Sequence, residues 1–126
     1  MKEMRNLSRS LEDYLETILV LEIEGKRLHS NDIAKHLNVS KPAVTKALKR
    51  LANLGYVTKS SYSDVNFTTK GRNLAKSIYH RHITIKKFLI SIGVDKLTAE
   101  IDCCKIEHVI SNETLKALST FVKDLE

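Results

Sequence analysis

Apolar residues recur at helical spacing over most of this chain. Leu11, Tyr14, Leu15, Ile18 and Leu19 form one stripe within residues 8–24. This predicts an amphipathic helix, because residues three and four apart share a face. Ser10-Leu11-Glu12-Asp13 reads as a capping box at its start, and Gly25 as its left-handed stop. Ser30-Asn31-Asp32 opens a short second helix that runs through Leu37, and Asn38-Val39 makes a tight turn. Ser40 caps a third helix, with Pro42 tolerated in a first turn that needs no intrahelical donor. Val44, Leu48 and Leu51 face inward on it, and Gly55 ends it.

Between residues 56 and 67 the period shortens. Tyr56-Val57-Thr58 and Val65-Asn66-Phe67 are β-prone runs flanking Ser60-Ser61-Tyr62-Ser63-Asp64, which predicts a hairpin turning near Ser63-Asp64. A long helix follows over residues 69–92 and stops at Gly93, and two more are expected over residues 97–110 and 112–125. No internal repeat, low-complexity tract or flexible linker interrupts the pattern. The expected fold is mainly α: a winged helix-turn-helix with a two-stranded wing over residues 1–71, then a helical domain over residues 72–126.

Charge sharpens this picture. The formal net charge is +6, but residues 26–72 hold ten Lys/Arg against only Asp32 and Asp64, a local +8 that leaves −2 for the rest. A basic block confined to a folded segment is the footprint of a polyanionic partner. With 42% hydrophobic residues the chain can build a core. It contains no run of about 18 apolar residues, so no membrane span is expected. Residues 1–10 are polar, with no apolar signal segment, so the expected location is the cytoplasm. Cys103 and Cys104 are adjacent, which is not a disulfide framework.

The third helix would expose Ser40, Lys41, Pro42, Ala43, Lys46, Lys49 and Arg50. In a helix-turn-helix its N-terminal residues meet base edges in the major groove while lysines meet phosphates. Lys59 on the hairpin suits a wing beside the DNA backbone. Such proteins bind as dimers because operator half-sites repeat with the helical turn. The long helix after the wing is the natural dimerisation element.

A second chemistry lies outside the basic block. Asp13 and Glu16 are spaced i, i+3 on the first helix, and His82 lies on the long helix. Cys104, Glu107 and His108 are spaced i, i+3, i+4 on the expected fifth helix. A thiolate, a carboxylate and an imidazole on one helical face make a divalent-metal half-site. Each residue also has an ordinary explanation. Asp13 suits a helix cap, Glu16 a solvated surface, His82 a helix interior, and Cys104 a small buried hydrophobe. Cys103 turns about 100° from Cys104 and is expected among apolar neighbours.

Four motifs, in order, resemble the diphtheria toxin repressor family over essentially the whole chain. SLEDYLETILVLEIEG resembles its opening helix, and SNDIAKHLNVSKPAVTKALKRLANLGYV its helix-turn-helix. FTTKG and YHRH, then IEHVIS, resemble the end of its wing, its dimer helix and its metal helix. The resemblance is greatest to the short manganese-regulator branch, which lacks an SH3-like domain. It implies a metal-dependent repressor that binds operator DNA as a homodimer, with Asp13, Glu16, His82, Cys104, Glu107 and His108 as ligands. Asp13 is manganese-like in this comparison, whereas Cys104 is iron-like. Lys86 and Glu100 depart from the ligands of the iron branch's second site. Ser40, Pro42 and Lys46 match base-contacting positions, with Lys46 a change of chemistry there.

The expected co-repressor is therefore Mn²⁺ or Fe²⁺, with Zn²⁺ or Co²⁺ able to substitute in vitro. The competing reading is a metal-independent winged-helix regulator that senses a small organic ligand, but no aromatic residues mark a pocket for one. A metalloenzyme would need an open metal position and a placed acid or base. No separate general base is evident, so no enzyme activity is expected.

Overall fold

The computed structural model describes residues 7–59 and 64–126. Residues 60–63, where the hairpin turn is expected, lie outside the described residues. The elements are α1 (Arg9–Ile23), α2 (Ser30–Leu37), α3 (Lys41–Asn53), β1 (Val57–Lys59), β2 (Val65–Phe67), α4 (Thr69–Ser91), α5 (Lys96–Ile106) and α6 (Asn112–Leu125). The chain divides within α4 into two compact units, Met1–Lys76 and Ser77–Glu126.

In the first unit, α1, α2 and α3 pack against one another. Leu15 and Ile18 of α1, Ile33 of α2, and Val44, Leu48 and Leu51 of α3 are fully buried. The cap of α1 lies two residues earlier than the expected box: Ser8 Oγ accepts from Leu11 N at 3.2 Å, which leaves Ser10 inside the helix. Ser40 caps α3 as expected, accepting from Ala43 N at 3.2 Å. Asn38 takes the left-handed conformation (φ 56°) that turns α2 into α3.

The strands β1 and β2 pair antiparallel, with Val57 opposite Phe67 and Lys59 opposite Val65. Val57 and Val65 face inward while Thr58, Lys59 and Asn66 are exposed. The outer edge of β2 is covered by the segment before α2: Val65 N donates to Leu28 O at 2.9 Å, and His29 bridges Asp64. An otherwise open edge is thereby closed within the unit.

The start of α4 is fastened to the end of α3. Thr68 N donates to Tyr56 O at 3.1 Å, and Thr68 Oγ1 donates to Gly55 O at 2.7 Å while accepting from Gly71 N at 3.0 Å. Gly71 lies so close to this strand entry that a Cβ there would stand 1.8 Å from the Tyr56 carbonyl oxygen. Arg72 Nη2 also reaches back to Glu22 Oε2 of α1 at 3.0 Å, and the guanidinium holds the Glu22 carboxyl below its ordinary value.

The second unit has a small core of Ile85, Cys103 and Ile110, against which Leu89, Ile106, Leu115 and Leu118 pack. Asp95 caps α5 and Ser111 caps α6, each accepting a backbone N–H at 3.1 Å. The expected fifth helix through Ile110 is too long. It stops at Ile106 because Val109 N and Ile110 N both return to Ile106 O at 3.0 Å. That tightened turn drops Ile110 into the core and lets Ser111 start α6. In a single chain Ile92, Leu97, Ile101, Val109 and Leu125 remain exposed. Apolar surface of this kind marks an association face.

The close approach at Gly71 gives a direct test. Gly71→Ala forces the Tyr56 carbonyl or the first turn of α4 to move, an overpacking cost of about 1–3 kcal/mol. Chemical denaturation should show the loss. Unchanged stability would show that the junction is not tightly packed.

Candidate metal centre and nucleic-acid interface

Helix α3 separates its faces cleanly. Val44, Ala47, Leu48 and Leu51 are buried, while Ser40, Lys41, Pro42, Ala43, Lys46, Lys49 and Arg50 are all exposed. Lys59 is exposed on β1. Every residue expected to meet DNA is therefore presented to solvent, on a helix whose other side anchors it in the first unit. No acidic residue lies within α3, so its exposed side carries positive charge without internal compensation.

Four residues of metal-ligand type, His82, Cys103, Cys104 and Glu107, fall on or at the end of two helices of the second unit. His82 lies on α4, on the stripe that also carries Ile78, Ile85 and Leu89. Cys103 and Cys104 lie on the last turn of α5. Glu107 follows as its C-cap, retaining helical backbone (φ −58°, ψ −26°) and donating its N–H to Cys103 O at 3.0 Å. His82 Nδ1 stands 2.8 Å from Glu107 Oε1, 3.5 Å from Cys103 Sγ and 3.9 Å from Cys104 Sγ. One ligand atom from each of these four residues lies within 4.8 Å of all the others.

The pocket is largely buried. Glu107 is 1% exposed, and its Oε2 is buried with no hydrogen-bond partner. His108 Nε2 is 3.9 Å from that oxygen. On the far side of the ring, His82 Nε2 meets Glu100 Oε2 at 2.8 Å, and Glu100 Oε1 meets Lys86 Nζ at 2.8 Å. Burial pushes Glu100 up, but Lys86 and His82 outweigh it and hold the carboxyl below its ordinary value. Burial, reinforced by the charges of Glu100 and Glu107, pushes the Cys103 thiol up to about 12. The hydrogen bond to His82 pulls Cys104 down, but burial and the charges of Cys103 and Glu107 prevail, leaving it raised.

The structure thus brings His82, Cys104 and Glu107 together. Asp13 and Glu16 lie on α1 in the first unit, with one carboxylate oxygen of each within 4.8 Å of the other. His108 falls on the turn after α5, since that helix ends at Ile106. Cys103 does lie among the expected apolar neighbours, Ile85 and Ile110. Its sulfur nevertheless approaches the His82 ring more closely than that of Cys104. Both cysteines precede Glu107 by helical neighbour spacings, four and three, so the ring sits against the pair.

Sequence reasoning missed Arg81. It is 3% exposed, and donates to Glu107 O and to Asn112 Oδ1, each at 3.3 Å. It ties the end of α5 to the start of α6 at the residue that carries the buried carboxylate. The signal was present: Arg81 stands three residues after Ile78 and four before Ile85, on the inward side of α4.

Two family descriptions match this chain. Residues 6–65 match the N-terminal DNA-binding domain of the iron-dependent repressors, and residues 68–126 match their metal-binding and dimerisation domain. The chain belongs to the iron-dependent repressor family. It is a metal-dependent, DNA-binding transcriptional repressor with a dimerisation domain, as the four sequence motifs imply. An uncharacterized HTH-type transcriptional regulator of Methanocaldococcus jannaschii is 41% identical over 119 residues, covering 93% of this chain and 95% of that protein. The transcriptional regulator MntR of Salmonella typhimurium is 38% identical over 113 residues, covering 90% of this chain and 72% of that protein. The structure of the manganese regulator SloR superposes with a TM-score of 0.79 at 29% identity, over 90% of this repressor and 53% of the SloR chain. The repressor thus spans about half the length of SloR. Among the described residues, no helix is long and apolar enough to cross a membrane.

Arg81 supplies a test of how the centre is held. Arg81→Met keeps most of the stem but leaves the Glu107 carbonyl without its donor. Losing such a buried partner costs about 1–3 kcal/mol. Denaturation of the purified protein should report this loss. An Arg81→Met protein as stable as the parent would show that the contact does not support the turn.

Proposed function

We propose that this repressor uses Mn²⁺ or Fe²⁺ as co-repressor, held by His82, Cys104 and Glu107 and by the further family ligands Asp13, Glu16 and His108. The observation that carries this reading is the buried Glu107 carboxylate, whose Oε2 has no hydrogen-bond partner and which groups with His82, Cys103 and Cys104 at ligand spacing. A buried polar atom left unmet costs about 1–3 kcal/mol, and a divalent cation would repay it. The donor set fits such an ion: nitrogen and oxygen serve Mn²⁺, and the thiol moves preference toward Fe²⁺ or Zn²⁺. Bound metal would supply the positive charge that lets buried carboxylate and thiolate groups share one centre.

The chain's own residues define the rest. His82 is held at Nε2 by Glu100, and so offers Nδ1 to the centre. Such outer partners fix which nitrogen ligates and how the ring is turned. On α3, Ser40, Pro42, Ala43 and Lys46 stand where base edges would be read, and Lys41, Lys49 and Arg50, with Lys59 of the wing, would meet phosphates. Metal acts as a switch by binding more tightly to the operator-competent arrangement than to others, since only differential affinity shifts such an equilibrium. The protein is proposed to work in the cytoplasm, with no catalytic role.

Operator-binding titrations with Mn²⁺, Fe²⁺, Co²⁺ and Zn²⁺, run anaerobically over a range of salt, test this reading. Lys49→Ala should weaken binding to most sequences and lower the salt slope by about 0.9. Lys46→Ala should change sequence preference more than overall affinity. No duplex binding at low salt with any of the four metals would overturn it.

A further inference from the structure

We infer that both cysteines, Cys103 as well as Cys104, ligate one ion together with His82 Nδ1 and Glu107, forming a four-ligand centre inside the helical unit. The inference rests on the metal-binding reading above and narrows it, with Cys103 taking the place at this ion that the family set gives to Asp13, Glu16 and His108. Three observations carry it. The first is spacing: Cys103 and Cys104 precede Glu107 by four and three residues, and Glu107 keeps helical backbone, so both thiols neighbour its carboxylate.

The second is size. A tetrahedral ion with sulfur at about 2.3 Å and nitrogen at about 2.0–2.1 Å sets a sulfur–nitrogen edge of about 3.5 Å. His82 Nδ1 stands 3.5 Å from Cys103 Sγ and 3.9 Å from Cys104 Sγ. All four ligand atoms lie mutually within 4.8 Å. The imidazole–carboxylate edge, at 2.8 Å, is a hydrogen bond and has to open by about 0.5 Å to reach the corresponding edge.

The third is the ring's other side. His82 Nε2 is occupied by Glu100, which is in turn held by Lys86, so the ring has Nδ1 to give. The ammonium of Lys86 commits Glu100 to this outer position, as a group that positions His82 without itself ligating. Two thiolates, one imidazole and one carboxylate match the chemistry of Zn²⁺, Co²⁺ and Fe²⁺ better than that of Mn²⁺, for which sulfur is a poor ligand. When the ion enters, each thiol gives its proton to solvent and its sulfur electron pair to the metal, with no change of oxidation state.

The test uses the full chain, purified and handled anaerobically, with Co²⁺ and Zn²⁺ as probes. X-ray absorption of the Zn²⁺ complex should count two sulfur neighbours. The Co²⁺ complex should show a sulfur-to-metal charge-transfer band that falls by about half in Cys103→Ser and by about half in Cys104→Ser. One sulfur neighbour, or a Cys103→Ser protein that keeps the full band, overturns the two-thiol centre while leaving metal binding intact. Failure of the wild-type chain to bind either ion overturns this inference and the co-repressor reading together. Cys103 is part of the apolar core, so its serine variant is accepted only if its far-ultraviolet circular dichroism matches the parent. The sulfur count on the wild-type protein decides the question if it does not.

Discussion

The second unit is organised around one carboxylate that has been taken out of water. Glu107 is 1% exposed and meets His82 Nδ1 at 2.8 Å. Removing an ionised group from solvent carries a penalty of several kcal/mol unless it is paired and hydrogen-bonded. Its neighbours follow from that need. Arg81 secures the backbone of the residue, His82 secures one oxygen, and Glu100 with Lys86 secures the other edge of His82. The second oxygen of Glu107 has no hydrogen-bond partner and stands 3.9 Å from His108 Nε2.

The thiols make sense in the same terms. A carboxylate in place of Cys104 would set a second buried negative charge beside Glu107, and like charges in one pocket raise each other's cost. A thiol is neutral near pH 7 when burial raises it, as it does for both cysteines here. The thiols therefore add no acidic charge beside the two carboxyls, Glu107 and Glu100, that flank the imidazole. On the proposed ligand set the cost is deferred: a metal would have to displace protons from the thiols as it binds, and its affinity would depend on pH more steeply than at an all-carboxylate site.

Much of this was legible in the sequence because it obeys short periods. The three helices and hairpin of the first unit follow from stripes, caps and glycines. The exposure of Lys46, Lys49 and Arg50 follows from their positions opposite Val44, Leu48 and Leu51. His82, Cys104 and Glu107 were legible as donors. What the pattern concealed depends on tertiary contacts. The position of Arg81 between Ile78 and Ile85 marks it as inward-facing, but its partners, Glu107 O and Asn112 Oδ1, are set by tertiary contact. The end of α5 at Ile106 is set by Ile110 turning into the core, which helical periodicity alone does not reveal. Cys103 was assigned to the core by an angle of 100° from Cys104, and it does lie there. That angle says nothing of a histidine on another helix that packs against both sulfurs.

A buried centre left one partner short is well suited to switching. An ion that binds the folded arrangement at a hundred times its dissociation constant stabilises it by about 2.7 kcal/mol. That is comparable with the cost of an unmet buried polar atom, so the centre can change the balance of conformations without dominating the fold. Thermodynamic linkage then makes the effect mutual: if metal tightens operator binding by some factor, operator DNA tightens metal binding by the same factor. A fully satisfied core in place of Glu107, His82 and the thiols would be at least as stable. It would also be unable to respond, because no ion could distinguish one arrangement of the chain from another.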